Sequence, residues 1–337
     1  MHRRYNHCRW WFLGGMVKME KNFLRIEFLY NFETYAYRYA FGTKTDGDIF
    51  YGVPVCADNI FKYDLSQKEI TLLKRNGKKD FDYTGACYDT KRKCIWGIPR
   101  NANTLLRVDT VDDKITEIPL NKQYAASGIH GAHHYTGILV DDKIYCPPRH
   151  LSSGILEISL DNFQTDIIPL DENVGRNSHY SGSILHSNGY IYFTPSIGNN
   201  FVKFDPASNK IKVIEEKIEG TIFGGVEYKN DIYCFSSVGI IKFDVKNESI
   251  EILYKFENKQ TYYGTILHPN GKIYSWNQHN QFVEYNIETN EYKVLATIYD
   301  KNNGPVYNAG GVVMGDDNIY FTPCQGRFFM RAVFGNV

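Results

Sequence analysis

The chain has 337 residues, with 38 basic and 38 acidic side chains, a formal net charge of zero and an aromatic content of 15%. That balance carries no electrostatic footprint for nucleic acid or a membrane surface, and no apolar run reaches the roughly 18 residues of a membrane span. Seven cysteines, an odd number with no CxxC pair, argue against a disulfide framework or a zinc ribbon, so a reducing, cytoplasmic setting is the expectation.

Residues 1–20 are basic and aromatic and fit no later pattern. Trp10 to Val17 is barely long enough for the apolar core of an export leader and contains two glycines. We expect residues 1–20 to be a disordered or artefactual extension, with a leader as the competing reading, and residues 21–337 to form one domain. Leu24, Ile26, Phe28 and Tyr30 then alternate with polar Arg25 and Glu27, which reads as a strand with no local partner.

From there an Ile-aromatic pair recurs: Ile49-Phe50, Ile95-Trp96, Ile144-Tyr145, Ile191-Tyr192, Ile232-Tyr233, Ile273-Tyr274 and Ile319-Tyr320, at spacings of 46, 49, 47, 41, 41 and 46 residues. Around Ile191 the whole unit is legible. Ser181 to Leu185 and Tyr190 to Phe193 flank a Ser-Asn-Gly turn, Val202 to Phe204 follows a polar loop, and Ile211 to Ile214 follows Asp205-Pro206. A third-strand motif repeats with it, as in Phe61-Lys-Tyr-Asp64, Val202-Lys-Phe-Asp205 and Ile241-Lys-Phe-Asp244, and its last residue suits a turn that accepts backbone N–H groups. A period of about 45 residues with four strands per unit predicts an all-β fold, a seven-bladed β-propeller of four-stranded antiparallel blades. The seventh unit ends after three strands, so residues 22–30 are expected to supply its fourth and close the ring, which removes two bare sheet edges. A neutral closed ring gives no reason to expect more than a monomer.

The turns between first and second strands are short, so a site is sought on the opposite face, where blades are linked and the loops after second strands emerge. Histidine and arginine concentrate in residues 130–179. An acid–base reaction on an anionic sugar would use His133, His179 and Tyr180 for proton transfer and Arg149 for the carboxylate. Tyr83, Arg100, His134, Tyr135, His150, Tyr262, His279, Tyr307 and Arg327 are candidate ligand-binding residues on the same face. The tyrosines that open the inner strands have a competing role as filler between blades. Metal binding by His130, His133 or His134 with His179 lacks any fixed ligand spacing, and no phosphate loop or nucleophile elbow is present, so no metal or cofactor is assigned.

The repeats Ile191-Tyr-Phe-Thr194-Pro195 and Ile319-Tyr-Phe-Thr322-Pro323, each followed by a loop and another strand, resemble those of the virginiamycin B lyase-like propellers. They resemble kelch repeats more distantly. The resemblance spans about residues 40–334 and implies the fold. It does not carry activity over: Pro195 and Pro323 stand where the lyase repeat has Glu, and no histidine matches that family's catalytic one in context. The expected function is therefore a scaffold binding a saccharide or protein ligand, with a carbohydrate lyase as the alternative.

Overall fold

The computed structural model describes residues 11–12, 15–19, 24–32, 39–75, 82–121, 134, 136–148, 154–170, 179–198, 200–300, 308–324 and 326–335. Among them there is no helix. Seven antiparallel blades follow one another, each ordered inner, second, third and outer strand. Blade 1 comprises Thr43–Lys44, Ile49–Gly52, Asn59–Asp64 and Glu69–Lys74; blade 2, Tyr83–Asp89, Cys94–Pro99, Thr104–Asp109 and Ile115–Pro119. Blade 3 comprises Ile138–Val140, Lys143–Cys146, Gly154–Ser159 and Thr165–Pro169; blade 4, His179–Leu185, Ile191–Ile197, Asn200–Asp205 and Lys210–Lys217. Blade 5 comprises Val226–Tyr228, Asp231–Phe235, Gly239–Asp244 and Ser249–Lys255; blade 6, Ile266–Leu267, Lys272–Trp276, Gln281–Asn286 and Glu291–Asp300.

Blade 7 takes Asn308–Val313, Ile319–Pro323 and Phe328–Phe334 from the end of the chain and Leu24–Asn31 from its start. The pairing runs from Leu24↔Phe334 to Asn31↔Phe328, and Glu27 is clasped by Arg331 at 2.8 Å. The ring is closed by the N-terminal strand, as its lone alternating pattern predicts. Part of the leading segment also joins the ring. Gly15–Met19 pairs along the outer edge of blade 6, from Gly15↔Asp300 to Met19↔Ala296, and Trp11–Phe12 pairs back onto it.

The repeated dipeptide works because adjacent strand residues face opposite sides of a sheet. The aromatic of one blade meets the isoleucine of the next: Trp96 with Ile144, Tyr192 with Ile232, and Tyr274 with Ile319 share buried clusters. Blade 1 departs from the expected alignment by one residue. Phe50 packs with Tyr320 of blade 7, whereas Tyr51 packs with Ile95 of blade 2. The working pair there is Phe50-Tyr51 rather than Ile49-Phe50, since facing, not residue type, sets the register.

The polar residue ending most third strands takes the turn role expected of it. Asp64 Oδ1 accepts from the N–H groups of Ser66 at 2.8 Å and Gln67 at 3.1 Å, and Asp205, Asp244 and Asn286 cap their own turns likewise. Cys87 and Cys94, which could have bridged a hairpin, are both free thiols.

Candidate functional site on the loop-rich face

The two faces of the ring are built differently. On the hairpin face, side chains tie one blade to the next. Lys93 and Tyr88 hold Asp46, Lys91 holds Asp142, Ser187 N–H donates to Glu227, and Gly315 N–H donates to Asp48. His186 and His268 stand beside polar hairpin turns in the sequence, yet both are buried staples. His268 Nε2 donates to the Asp317 carbonyl at 2.7 Å while its Nδ1 accepts the Asn270 N–H at 3.2 Å, and His186 repeats this on Asn230 and Asn188. Each ring has one donating and one accepting nitrogen in use, so both hydrogen-bonding positions of the imidazole are engaged.

At the loop-rich end the inner strands meet around the axis through backbone. Gly310 N–H donates to Tyr263 O at 3.0 Å, Phe41 N–H to Ala309 O at 3.0 Å, and Gly85 N–H to Ala40 O at 3.1 Å, joining blades 6, 7, 1 and 2. The first pairs of the inner strands set the equivalences: Tyr39↔Pro54, Tyr83↔Pro99, Ile222↔Ser236, Tyr262↔Asn277 and Asn308↔Pro323. Two residues on from each lies a left-handed position, occupied by Gly85, Gly224, Gly264 and Gly310 at φ of 82°, 112°, 92° and 75°. In blade 1 the same position holds Phe41, at φ 48°. A bulky side chain in that region costs about 1–2 kcal/mol and marks a position held by its surroundings.

The Phe41 ring lies over the inner strands of the two preceding blades. A Cβ built on Gly310 of blade 7 would sit 3.0 Å from its Cδ1, and one on Gly264 of blade 6 would sit 3.8 Å from its Cε1. Tyr263 packs into the same small cluster, with Ala40, Val55, Ala309 and Cys324, and its ring centroid lies 5.9 Å from that of Phe223. Phe41, Phe223 and Tyr263 are all half-buried, and together they make an aromatic floor. Cys324, beside Arg100, is part of this floor as a neutral thiol: burial pushes its pKa up to about 12 against the pull of the guanidinium.

His133, Tyr135, Arg149, His150 and Tyr307 lie outside the described residues. Tyr83, Tyr180 and Tyr262 are fully buried between blades, in the filler role that competed with ligand contact. The Tyr83 hydroxyl is bonded to Thr104 Oγ1 at 2.5 Å and that of Tyr262 to the Tyr292 hydroxyl at 3.1 Å, and burial drives both phenol pKa values upward. His134 is buried with Nδ1 on the Pro147 carbonyl at 2.9 Å. His179 is half-buried, and its carbonyl accepts Ser196 Oγ at 3.2 Å. Arg100 and Arg327 are half-buried, the first anchored by its N–H on Asp82 O at 2.8 Å, the second laid over Phe328 at 4.9 Å. His279 is exposed beside Gln278.

Phe41 and Phe223 escape a sequence reading because the tyrosines that open several inner strands are the more regular signal. A strand alternates, so Phe223, one place beyond Ile222, faces the other side, whereas Phe41, two places beyond Tyr39, is turned away by its left-handed backbone. Ala40-Phe41 standing where other blades read residue-Gly, as in Thr84-Gly85 and Ala309-Gly310, was the available signal. Among the described residues, no group of three or more His, Cys, Asp or Glu side chains is placed to hold a metal ion.

No protein-family model and no curated protein matches this chain by sequence. The fold is similar to that of a streptogramin B lyase, at 13% identity and TM-score 0.76 over 93% of this chain and 98% of that one. A catalytically inactive virginiamycin B lyase from Staphylococcus aureus, solved with quinupristin, aligns at 13% identity and TM-score 0.73 over 93% of this chain and 100% of its own. YCF48 bound to a D1 peptide aligns at 10% identity and TM-score 0.66, covering 95% and 97% of the two chains. At such identities the likeness is one of fold.

Proposed function

We propose that this propeller is a binding scaffold that holds a saccharide or protein ligand over the aromatic floor of its loop-rich face, with no reaction of its own. The observation that carries this reading is Phe41, a strained aromatic in a glycine position, laid over the inner strands of blades 6 and 7 beside Tyr263. Half-buried rings offer stacking area at low entropic cost, and Arg100 and Arg327 on the same face suit polar or anionic groups of a ligand. The rigid stapling of the hairpin face fits a scaffold that presents the other face.

The competing reading is a carbohydrate lyase using His133, His179, Tyr180 and Arg149. Similarity to a lyase supports it at the level of fold. Against it, the phenol of Tyr180 belongs to a core cluster between blades 3 and 4, where a general base could not reach a polysaccharide.

A glycan panel and pull-downs with the intact protein, run beside the Phe41→Gly variant, test the scaffold. Binding that is saturable and lost in the variant supports it. Ultraviolet absorbance from an unsaturated uronate, appearing with uronate polysaccharides and abolished by Tyr180→Phe, would overturn it in favour of the lyase.

A further inference from the structure

A second opening lies at the other end of the axis. Between the hairpin turns of blades 5, 6, 7 and 1 is a cleft of about 520 Å3, within the range of small-ligand sites. Its apolar wall is Leu267, Pro269 and Val313, and Lys44, Asp317 and Tyr228, whose hydroxyl donates to Glu288 at 3.0 Å, also line it. The sequence gives no hint of this space, because short turns suggest a closed face.

The walls are held in place before any ligand arrives. His268 ties its turn to Asp317, Met314 N–H donates to Asn318 O, and Gly315 N–H donates to Asp48 at 2.9 Å. Such bracing lowers the ordering cost of binding. The charges are mixed. Lys44 is only loosely engaged by Asp48, at 3.5 Å and with side chains 39% and 34% exposed, and Asp317 adds a second carboxylate. A simple anion would meet two carboxylates for one ammonium, and a pure hydrocarbon would strip water from all three charges. A zwitterion with an apolar body satisfies both signs and the apolar wall.

From this we infer that the hairpin-side cleft is a binding site for a small apolar zwitterion, a free amino acid or dipeptide. Its carboxylate pairs with Lys44, its ammonium with the Asp317 side, and its apolar side chains lie on Leu267 and Val313. This site is separate from the loop-rich face and does not depend on what that face binds.

The test is isothermal titration of the intact protein with the dipeptide leucyl-leucine, with N-acetyl-leucyl-leucine amide, blocked at both ends, as control. Saturable binding is expected for the free dipeptide. Lys44→Gln, on a half-exposed side chain, should weaken it about tenfold or more while leaving the thermal midpoint unchanged. Leu267→Trp, which fills the cleft, should abolish it. Absence of saturable heat up to the solubility limit overturns the inference, and so does equal binding of the blocked dipeptide or of the Lys44→Gln protein.

Discussion

Phe41 and Gly310 occupy the same position in adjacent blades, and the ring of the first rests on the backbone of the second, where an added Cβ would lie 3.0 Å from Phe41 Cδ1. Gly310 carries a φ of 75° that an L side chain adopts only under strain. Gly310→Ala should therefore cost about 1–2 kcal/mol in urea unfolding, through the backbone and through displacement of the ring together. A variant as stable as the parent would show that the contact is slack.

Phe41→Gly is the informative counterpart. It relieves a left-handed aromatic but forfeits half-buried apolar area and adds chain entropy, so the stability change should stay within about 2 kcal/mol of zero. Ligand capture on the loop-rich face should nevertheless fall sharply. Urea midpoints read beside binding curves separate these two effects, and a variant that binds as well as the parent removes the floor from the proposed site.

His268→Ala should destabilise the ring by about 1–2 kcal/mol, because the buried imidazole gives up its packing and its part-buried hydrogen bonds to the Asp317 carbonyl and the Asn270 N–H. His186→Ala should cost a similar amount at the junction of blades 4 and 5. The sites are far enough apart that the double variant should be additive. Chemical denaturation of the three proteins tests this, and values under about 0.5 kcal/mol would return both histidines to the class of ordinary surface residues.

Asp89 should make stability depend on acid. Burial raises its pKa, but the Arg92 N–H at 2.9 Å, the Trp96 indole at 3.1 Å and the Arg92 guanidinium at 3.1 Å outweigh that, and the net shift is downward. A depressed carboxylate contributes stability that is fully present above its unfolded pKa of about 3.9 and is lost as pH falls through the folded value. Asp89→Asn should flatten the slope of stability against pH below about 4 while lowering stability at neutral pH. A slope identical to the parent's would assign the acid dependence to other carboxylates.

Removing residues 1–31 should abolish cooperative unfolding. The strand they supply packs Ile26 and Phe28 on the core of blade 7 and places Glu27 on Arg331. Burial of a large apolar side chain is worth about 1.5–3 kcal/mol, and the loss of several together with the ladder of blade 7 takes away a large part of the stability of a domain. Calorimetry that returned the parent's thermal midpoint would mean that the ring does not need this strand.

Much of this molecule was legible in its sequence. Blade count follows from a dipeptide that must supply an apolar residue to each side of a sheet, as Tyr192 and Ile191 do, and closure follows from Leu24–Tyr30 alternating without a neighbour. The turn role of Asp64 and Asp205 follows from local hydrogen bonding alone. These features are set by contacts along a strand or across one turn, within reach of pattern.

Other features depend on where the ring brings distant residues. In blade 1 the pair slipped from Ile49-Phe50 to Phe50-Tyr51, since only packing against Tyr320 and Ile95 reveals which way each side chain faces. His186 and His268 look like surface residues until the next blade's carbonyl is in place. Phe41 reads as one aromatic among many, and it becomes the floor of a site only because three inner strands converge on an axis. The sequence by itself determined the sheets and their closure, through periodicity. The tertiary structure decided the site, because convergence on an axis is a property of the closed ring and of no single repeat.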